Sequence, residues 1–311
     1  MPAADCNRHF YYSIFAARKR IPGTIGDTAN VIPSVVEGSN TINMKIKNAN
    51  VLITGGASGI GKIMGRRALQ KGAKCFIIWD INQEGIDATK KELSKYGKVA
   101  GYVVDVSNNE VVNLAYKKTV EDCGNVDILI NCAGVITSNK TFDQQTEAEI
   151  VRTININTIA PMFVTRAMLP DMLQRNCGHV CNITSAGGML SNPRMSVYAA
   201  SKWAAIGWSD SVRIELQNMK SKVHITTVAP YFISTGMFTG IKSRIIPILK
   251  PEYVAKRVIL AIERNTSFRG IPFGFHFIRF WQFILPTRIF DWFFGEVMGI
   301  YHAMDAFTGR K

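Results

Sequence analysis

The stretch VLITGGASGIGKIMGRRALQ, residues 51–70, decides the fold. Val51 to Thr54 form a short strand-type run, the glycines after them mark a turn, and from Ile60 the apolar residues recur at helical spacing. Gly55, Gly59 and Gly61 let the backbone approach a pyrophosphate closely, and the free N–H groups at the helix start face that anion. Ser58 and Ile60, between these glycines, fall in the same candidate site. A glycine pattern alone is weak evidence. Here the next strand-type run, CFIIWD, ends in Asp80, 19 positions after Gly61, where a dinucleotide-binding unit places the acid that holds the adenine ribose hydroxyls. A carboxylate there repels a ribose 2′-phosphate, so NAD is expected over NADP. Lys62 and Lys74 are the nearest cations that would favour NADP, and they weigh less than Asp80.

Outward from this unit, strand and helix patterns alternate without interruption to about Ile262, which favours one α/β domain. Strands are expected near 51–54, 75–79, 99–104, 126–131, 179–184 and 223–229, with a short seventh near Arg269 to Pro272. Right-handed crossovers then give a doubly wound parallel sheet, a Rossmann fold, in the order 3-2-1-4-5-6. Ligands of such sheets bind at the carboxyl ends of the strands. Thr54, Asp80, Asp105, Asn131, Ser185 and Pro230 all lie at or just beyond those ends, as one shared site requires.

A second signal is SVYAASK, residues 196–202. Tyr198 and Lys202 stand at i and i+4, so on a helix the ammonium can sit below the phenol. A free tyrosine titrates near about 10, and a nearby cation favours the phenolate, which brings the group toward general acid or base work. For a lone YxxxK an ordinary amphipathic helix with a surface Tyr and Lys is the better explanation. The rest of the chain reverses that judgement.

Taken together, residues Lys45 to Phe273 resemble the short-chain dehydrogenase/reductase family. TGGASGIG matches that family's TGxxxGxG turn, and Asp105 with Val106 matches its adenine-contacting acid. Asn131, Cys132, Ala133 and Gly134 match its NNAG, with Cys for the second Asn. Asn157, in NTIAP, stands at the family's helix Asn, and Ser185, in NITSAGG, lies 13 residues before Tyr198 as the catalytic serine does. Pro230 to Thr235, with Ile233, match the PGxxxT segment, Tyr231 replacing Gly. The resemblance implies that Tyr198 is the general base in alcohol oxidation and that Lys202 lowers its pKa and holds the nicotinamide ribose. It also implies that Ser185 binds the substrate oxygen, and that Asn157 holds a water linking Lys202 to solvent. Plainer roles compete: Asn157 as a helix residue satisfying local backbone, Ser185 as a strand-end turn residue, and Asp105 as the N-cap of the next helix. Within the family, WDINQEG, PYFISTGMF and AMDAFTGRK are similar to epidermal-type retinol dehydrogenases and lipid-droplet hydroxysteroid dehydrogenases, which implies a lipophilic alcohol or its carbonyl as substrate. A homo-oligomer, dimer or tetramer, is a further implication.

Composition narrows the alternatives. The chain has 311 residues, of which 47% are hydrophobic, enough to bury a sizeable core. Its six cysteines show no CxxC, and Cys75, Cys132, Cys177 and Cys181 fall in or beside apolar runs, so they read as reduced core residues of a cytoplasmic protein. No histidine spacing suggests a metal. The net charge of +14 invites nucleic-acid binding, but the basic residues are dispersed and no such motif is present.

From Lys242 to Lys311 there are 11 Lys and Arg against 5 Asp and Glu in an aromatic-rich segment, which suits an anionic membrane surface. Residues 274–311, broken by Pro286 and charged groups, make a poor membrane span and a fair interfacial one; a subunit interface and a cover for the substrate cleft compete. Residues 1–43 stand outside the alternating pattern and are expected to be disordered or no part of the native fold, with the catalytic domain at 44–273. Between Pro230 and Pro251 an apolar run with glycine hinges reads as a lid, and Met189, Leu190, Met195, Phe232, Met237 and Phe238 are candidate lining residues. Two other functions stay open: a carbonyl reductase of acyl or other small intermediates, and a non-catalytic NAD-binding or membrane scaffold protein.

Overall fold

Seven strand-type runs pair into one parallel sheet in the order β3-β2-β1-β4-β5-β6-β7. The computed structural model describes residues 44–308, so the expected extension at 1–43 lies outside the described residues. The strands are β1 (Asn50–Thr54), β2 (Cys75–Asp80), β3 (Lys98–Val103), β4 (Ile128–Asn131), β5 (Gly178–Ile183), β6 (Val223–Pro230) and β7 (Phe268–Ile271). Helices α1 (Gly59–Gln70), α2 (Gln83–Leu93), α3 (Asn109–Cys123), α4 (Glu147–Ile154), α5 (Ala160–Gln174), α6 (Ser196–Asn218) and α7 (Pro251–Glu263) connect them.

The central strand shows why the sequence folds this way. Leu52 is paired with Ile77 on one side and Leu129 on the other, and all three are fully buried. Because side chains alternate along a strand, Val51 and Ile53 join a cluster with Met64, Ala68 and Val258, while Leu52 packs with Val112 and Met168. Both faces of β1 are therefore covered, which explains its unbroken apolar run. Each such side chain contributes roughly 1.5–3 kcal/mol of burial.

The fourth strand starts two residues later than expected. Asp127 is the reason: its carboxylate accepts from the Asn50 N–H at 2.9 Å and pairs with Arg175 at 2.9 Å. The segment before Ile128 thus latches the bottom of the sheet instead of extending it. Between α4 and α5 the helix widens into a π-turn, Asn155–Ile159, an irregularity common at functional sites.

Beyond β6 lies the segment expected as a lid. Residues 231–250 form no helix, and the segment is pinned at its base by a bridge between Ile233 and Leu249. After β7 come α8 (Ile278–Ile284) and α9 (Thr287–Asp291), which runs on into a π-helical stretch at Trp292–Val297, then turns to residue 308. This C-terminal segment grips the lid: Thr308 N–H donates to the Thr239 carbonyl at 3.0 Å, and a side chain at Gly240 would collide with the Ala306 carbonyl oxygen. Ile300, Ala303 and Met304 are buried with the core. No helix among the described residues is long and apolar enough to cross a membrane.

Candidate active site

The glycine turn builds one wall. Gly55 adopts φ +67°, a left-handed conformation that glycine takes without strain, and any side chain at Gly61 would meet the Gly55 carbonyl oxygen. The N-cap Ser58 makes no side-chain capping bond, and the first turn of α1 carries no acid. Its N-terminal N–H groups are therefore left for an anion from outside the helix. Asp80 closes the turn from the end of β2, accepting from the Ala57 N–H and the Asn82 N–H, each at 3.1 Å. The opposite wall is held by Thr54, whose hydroxyl accepts from the N–H groups of Cys132 at 3.0 Å and Ala133 at 3.1 Å.

Between these walls lies a cleft of about 740 Å³. Of the sequence-predicted residues it is lined by Gly55, Ser58, Gly59, Ile60, Gly61, Asp80, Asp105, Val106, Ala133, Gly134 and Thr235. A dinucleotide fits this donor set: an uncapped helix start for the pyrophosphate, a carboxylate for ribose hydroxyls, and Val106 with Ile81 as apolar surface. Asp105 does not cap α3. Asn108 does so, accepting from Glu110 and Val111, while Asp105 accepts from the Ser107 N–H and hydroxyl on the cleft wall.

Three predicted residues stand behind the wall. Asn131 is 3% exposed and donates to Thr165 and Asn182, so its side chain braces β4 against its neighbours. Pro230 and Ile233 are buried at the root of the lid.

Beside Gly134 of the cleft wall, α6 presents Tyr198 and Lys202, both under 10% exposed. The Lys202 Nζ lies 5.7 Å from the Tyr198 ring centre and 3.4 Å from the Ile183 carbonyl oxygen. Ser185 reaches Tyr198 from the end of β5 through a hydrogen bond, and also accepts from the Gly187 N–H at 3.1 Å. Ser185 thus caps its turn and contacts Tyr198 at the same time. Asn157 sits in the π-turn, where its Oδ1 accepts from Val135 N–H at 2.8 Å and its Nδ2 donates to the Val135 carbonyl and to Ser201. Its partners are distant in sequence, so it fastens the β4 loop to α6 and is no local helix residue. Gly134 keeps the space beside Asn157 Oδ1 and Lys202 Nζ clear of a side chain.

The model of the short chain dehydrogenase family matches residues 49–245. The chain belongs to the short-chain dehydrogenase family. It is 33% identical over 267 residues to epidermal retinol dehydrogenase 2 of Mus musculus, covering 84% of this chain and 85% of that one. Over 240 residues it is 34% identical to estradiol 17-beta-dehydrogenase 11 of Pongo abelii, covering 76% and 79%. Among solved structures, a short-chain dehydrogenase/reductase from Burkholderia phymatum in complex with NAD superposes with a TM-score of 0.70 at 23% identity, covering 76% of this chain and 93% of that one.

Electrostatics in this short-chain dehydrogenase differ from the sequence expectation at one point. Burial pushes the Tyr198 phenol up to about 12, with the Ser185 hydrogen bond pulling it back, and burial draws Lys202 down to about 8. Desolvation is the largest cause for both groups in this dry site, and the Ser185 hydrogen bond favours the phenolate. Cys177 also departs from expectation: it is exposed, in the turn before β5, whereas Cys75 and Cys181 are buried.

The lid packs against Tyr198. Phe238 of the lid stacks edge-on against Tyr198 at 6.3 Å and against Phe232 at 5.1 Å. Leu190, Met195 and Phe232 join Ser185 around a cavity of about 20 Å³, Met237 lines the cofactor cleft instead, and Met189 is core. Sequence reading missed Ala148, Val151, Arg152, Asn155 and Ile156, which bring α4 and the π-turn to the cleft. The capping box of Thr146 and Glu149 was a local sign of that helix start, but nothing local shows that its far face turns to the cleft. Ile300 of the C-terminal segment, beside Ser185, carried no signal at all.

Proposed function

We propose that this protein is an NAD-dependent dehydrogenase that interconverts a lipophilic alcohol and its carbonyl. The observation that carries it is the meeting of Tyr198, Lys202 and Ser185 next to Gly134 of a dinucleotide-sized cleft. Bound in oxidised form, the dinucleotide supplies the hydride acceptor and a positive ring. Asp80 is the ribose-binding acid that favours NAD, Lys62 being engaged with Glu92 away from it.

Ser185 positions the substrate oxygen and Tyr198 exchanges the proton with it. With the phenol at about 12 the proton stays on Tyr198 at neutral pH, the state that protonates a carbonyl oxygen. Alcohol oxidation requires the phenol to be lowered, which positive charge at Lys202 and the ring favours. Lys202 holds the nicotinamide ribose, and Asn157 Oδ1 accepts one N–H from protein, leaving a lone pair for a proton relay past Gly134. The lipophilic substrate class follows from the aromatic lid and from the retinol and estradiol in the relatives' names. Retained Tyr, Lys and Ser count against a non-catalytic scaffold, and the aromatic enclosure counts against small acyl intermediates. Following NADH formation across alcohols tests the assignment, and absence of turnover with every lipophilic alcohol would refute it.

A peripheral membrane contact is favoured by a specific observation. Phe277, Phe280, Trp281, Phe283, Trp292 and Phe293 are all exposed, with Phe283 at 89%, and Arg279 and Arg288 stand among them. Aromatic side chains with cations at their edge suit the interface of an anionic bilayer. Flotation with anionic liposomes decides: co-flotation supports lipid contact, and a protein that stays soluble as a dimer assigns the face to a subunit interface.

A further inference from the structure

Three arginines gather where β7, the edge strand of the sheet, meets α7. Ile271 packs in the cluster that holds Val254 and Val258 of α7, and side chains two apart on a strand share a face, so Arg269 lies on the α7 side. Arg257 and the C-cap Arg264 stand seven residues apart, close to two full turns, and share one stripe of α7. Burial, and then the charges of Arg257 and Arg264, hold the Arg269 guanidinium below the usual arginine value. Among the described residues, none of the three forms an ion pair with a carboxylate. Glu263, beside Arg264, is taken by Lys71 at 2.9 Å, and Glu252 stands five residues before Arg257, about 140° around the helix. The Arg269 Nε is also buried with no hydrogen-bond partner among the described residues. Arg175 has an orphan Nε too, but its terminal nitrogens donate to Asp127 and to the Val126 carbonyl. A half-buried guanidinium among like charges, its donors unspent, is costly until an anion completes it.

We propose that Arg257, Arg264 and Arg269 form a binding site for a phosphate monoester. Three planar donor forks with no acid among them suit a dianion with three terminal oxygens better than a singly charged carboxylate. Arg264 closes α7 just ahead of β7, so the site lies toward the starts of the strands, away from the ends that carry the cofactor cleft. It is independent of the dehydrogenase reading. Two sources carry such a group, a lipid headgroup and a soluble phosphate compound. Phe273, 61% exposed, follows Arg269 by four residues and exposed Phe277 by eight, so the site borders aromatic surface suited to a bilayer.

The test titrates the full chain with inorganic phosphate, by calorimetry and by thermal unfolding, in the presence of NAD. Sodium chloride at matched ionic strength controls for screening. Arg269→Gln removes the half-buried charge, and the double variant Arg257→Gln with Arg264→Gln removes the outer pair; should the first fail to fold, the second decides. The expected result is a Tm that rises with phosphate beyond the chloride control, and a phosphate affinity about tenfold or more lower in each variant. A wild-type response to phosphate no larger than to chloride, or equal phosphate affinity in wild type and variants, overturns the proposal. Co-sedimentation with phosphatidylcholine vesicles carrying phosphatidic acid, against vesicles carrying phosphatidylserine at matched surface charge, then separates the sources. Preference for phosphatidic acid that both variants lose assigns the site to a lipid headgroup. Phosphate affinity that the variants lose while vesicle binding stays unchanged assigns it to a soluble phosphate compound.

Discussion

The two halves of the site are built on opposite plans. The proposed cofactor half is a cleft of about 740 Å³ whose walls are strand ends and a helix start, fixed by backbone hydrogen bonds to Asp80 and Thr54. The proposed substrate half is a space of about 20 Å³ beside Ser185, next to the helix-free segment 231–250 that the C-terminal segment holds down. A preformed cleft can receive a polar dinucleotide directly, whereas a dry, closed pocket admits an apolar substrate only when its roof moves. Tyr198 and Lys202 lie on the dry side, which is why burial dominates the titration of both.

Substitutions sharpen that contrast. The largest effect belongs to the rigid half: Gly61→Val drives a side chain into the Gly55 carbonyl, and NAD affinity by calorimetry should fall by about 100-fold or more, or the fold should be lost. Retained affinity would show that the turn is adaptable.

Lys202→Met should reduce kcat/KM by about 10²-fold or more while stabilising the protein. Burial holds Lys202 at about 8 in the folded chain against 10.5 outside it. Below pH 8 the lysine is charged in both states and the burial penalty, on the order of 3 kcal/mol, is present in full. Between pH 8 and 10.5 the unfolded chain binds more protons than the folded one, so stability rises with pH and the penalty fades. The variant's Tm should therefore exceed wild type by roughly 5 °C at pH 7, and the gap should close toward pH 10.5. A variant less stable at pH 7 would place Lys202 among the groups that hold the fold.

Asp80→Asn removes the charge and keeps one of the two acceptors that the turn uses. The NAD-to-NADP preference in kcat/KM should fall by about tenfold; an unchanged ratio would move cofactor choice elsewhere on the cleft. The smallest effect is expected at the roof, where Phe238→Ala removes the ring against Tyr198 and should lower kcat/KM for a lipophilic alcohol about two- to tenfold with NAD affinity unaltered. An equal loss in NAD affinity would mean that lid and cleft are one unit.

What the sequence revealed divides along the same line. The cofactor half was legible because local rules govern it: a glycine turn, a strand-end acid and a helix start appear as short motifs, and all lie where their spacing puts them. Seven strands in the expected order followed from the alternation of runs for the same reason. Asn131 shows the limit, since a polar residue at a strand end looks alike whether it faces a ligand or ties Thr165 to Asn182. Ile300 shows it more strongly, because its place beside Ser185 depends on a C-terminal path with no period or cap to announce it.

The most direct test of the central claim is NADH formation from a lipophilic alcohol by the wild-type chain and by Tyr198→Phe, with NAD affinity measured on both. Turnover that falls by about 10³-fold in the variant, with NAD affinity held within about twofold, is the predicted result. Equal turnover in both proteins would contradict the account by removing Tyr198 from the chemistry.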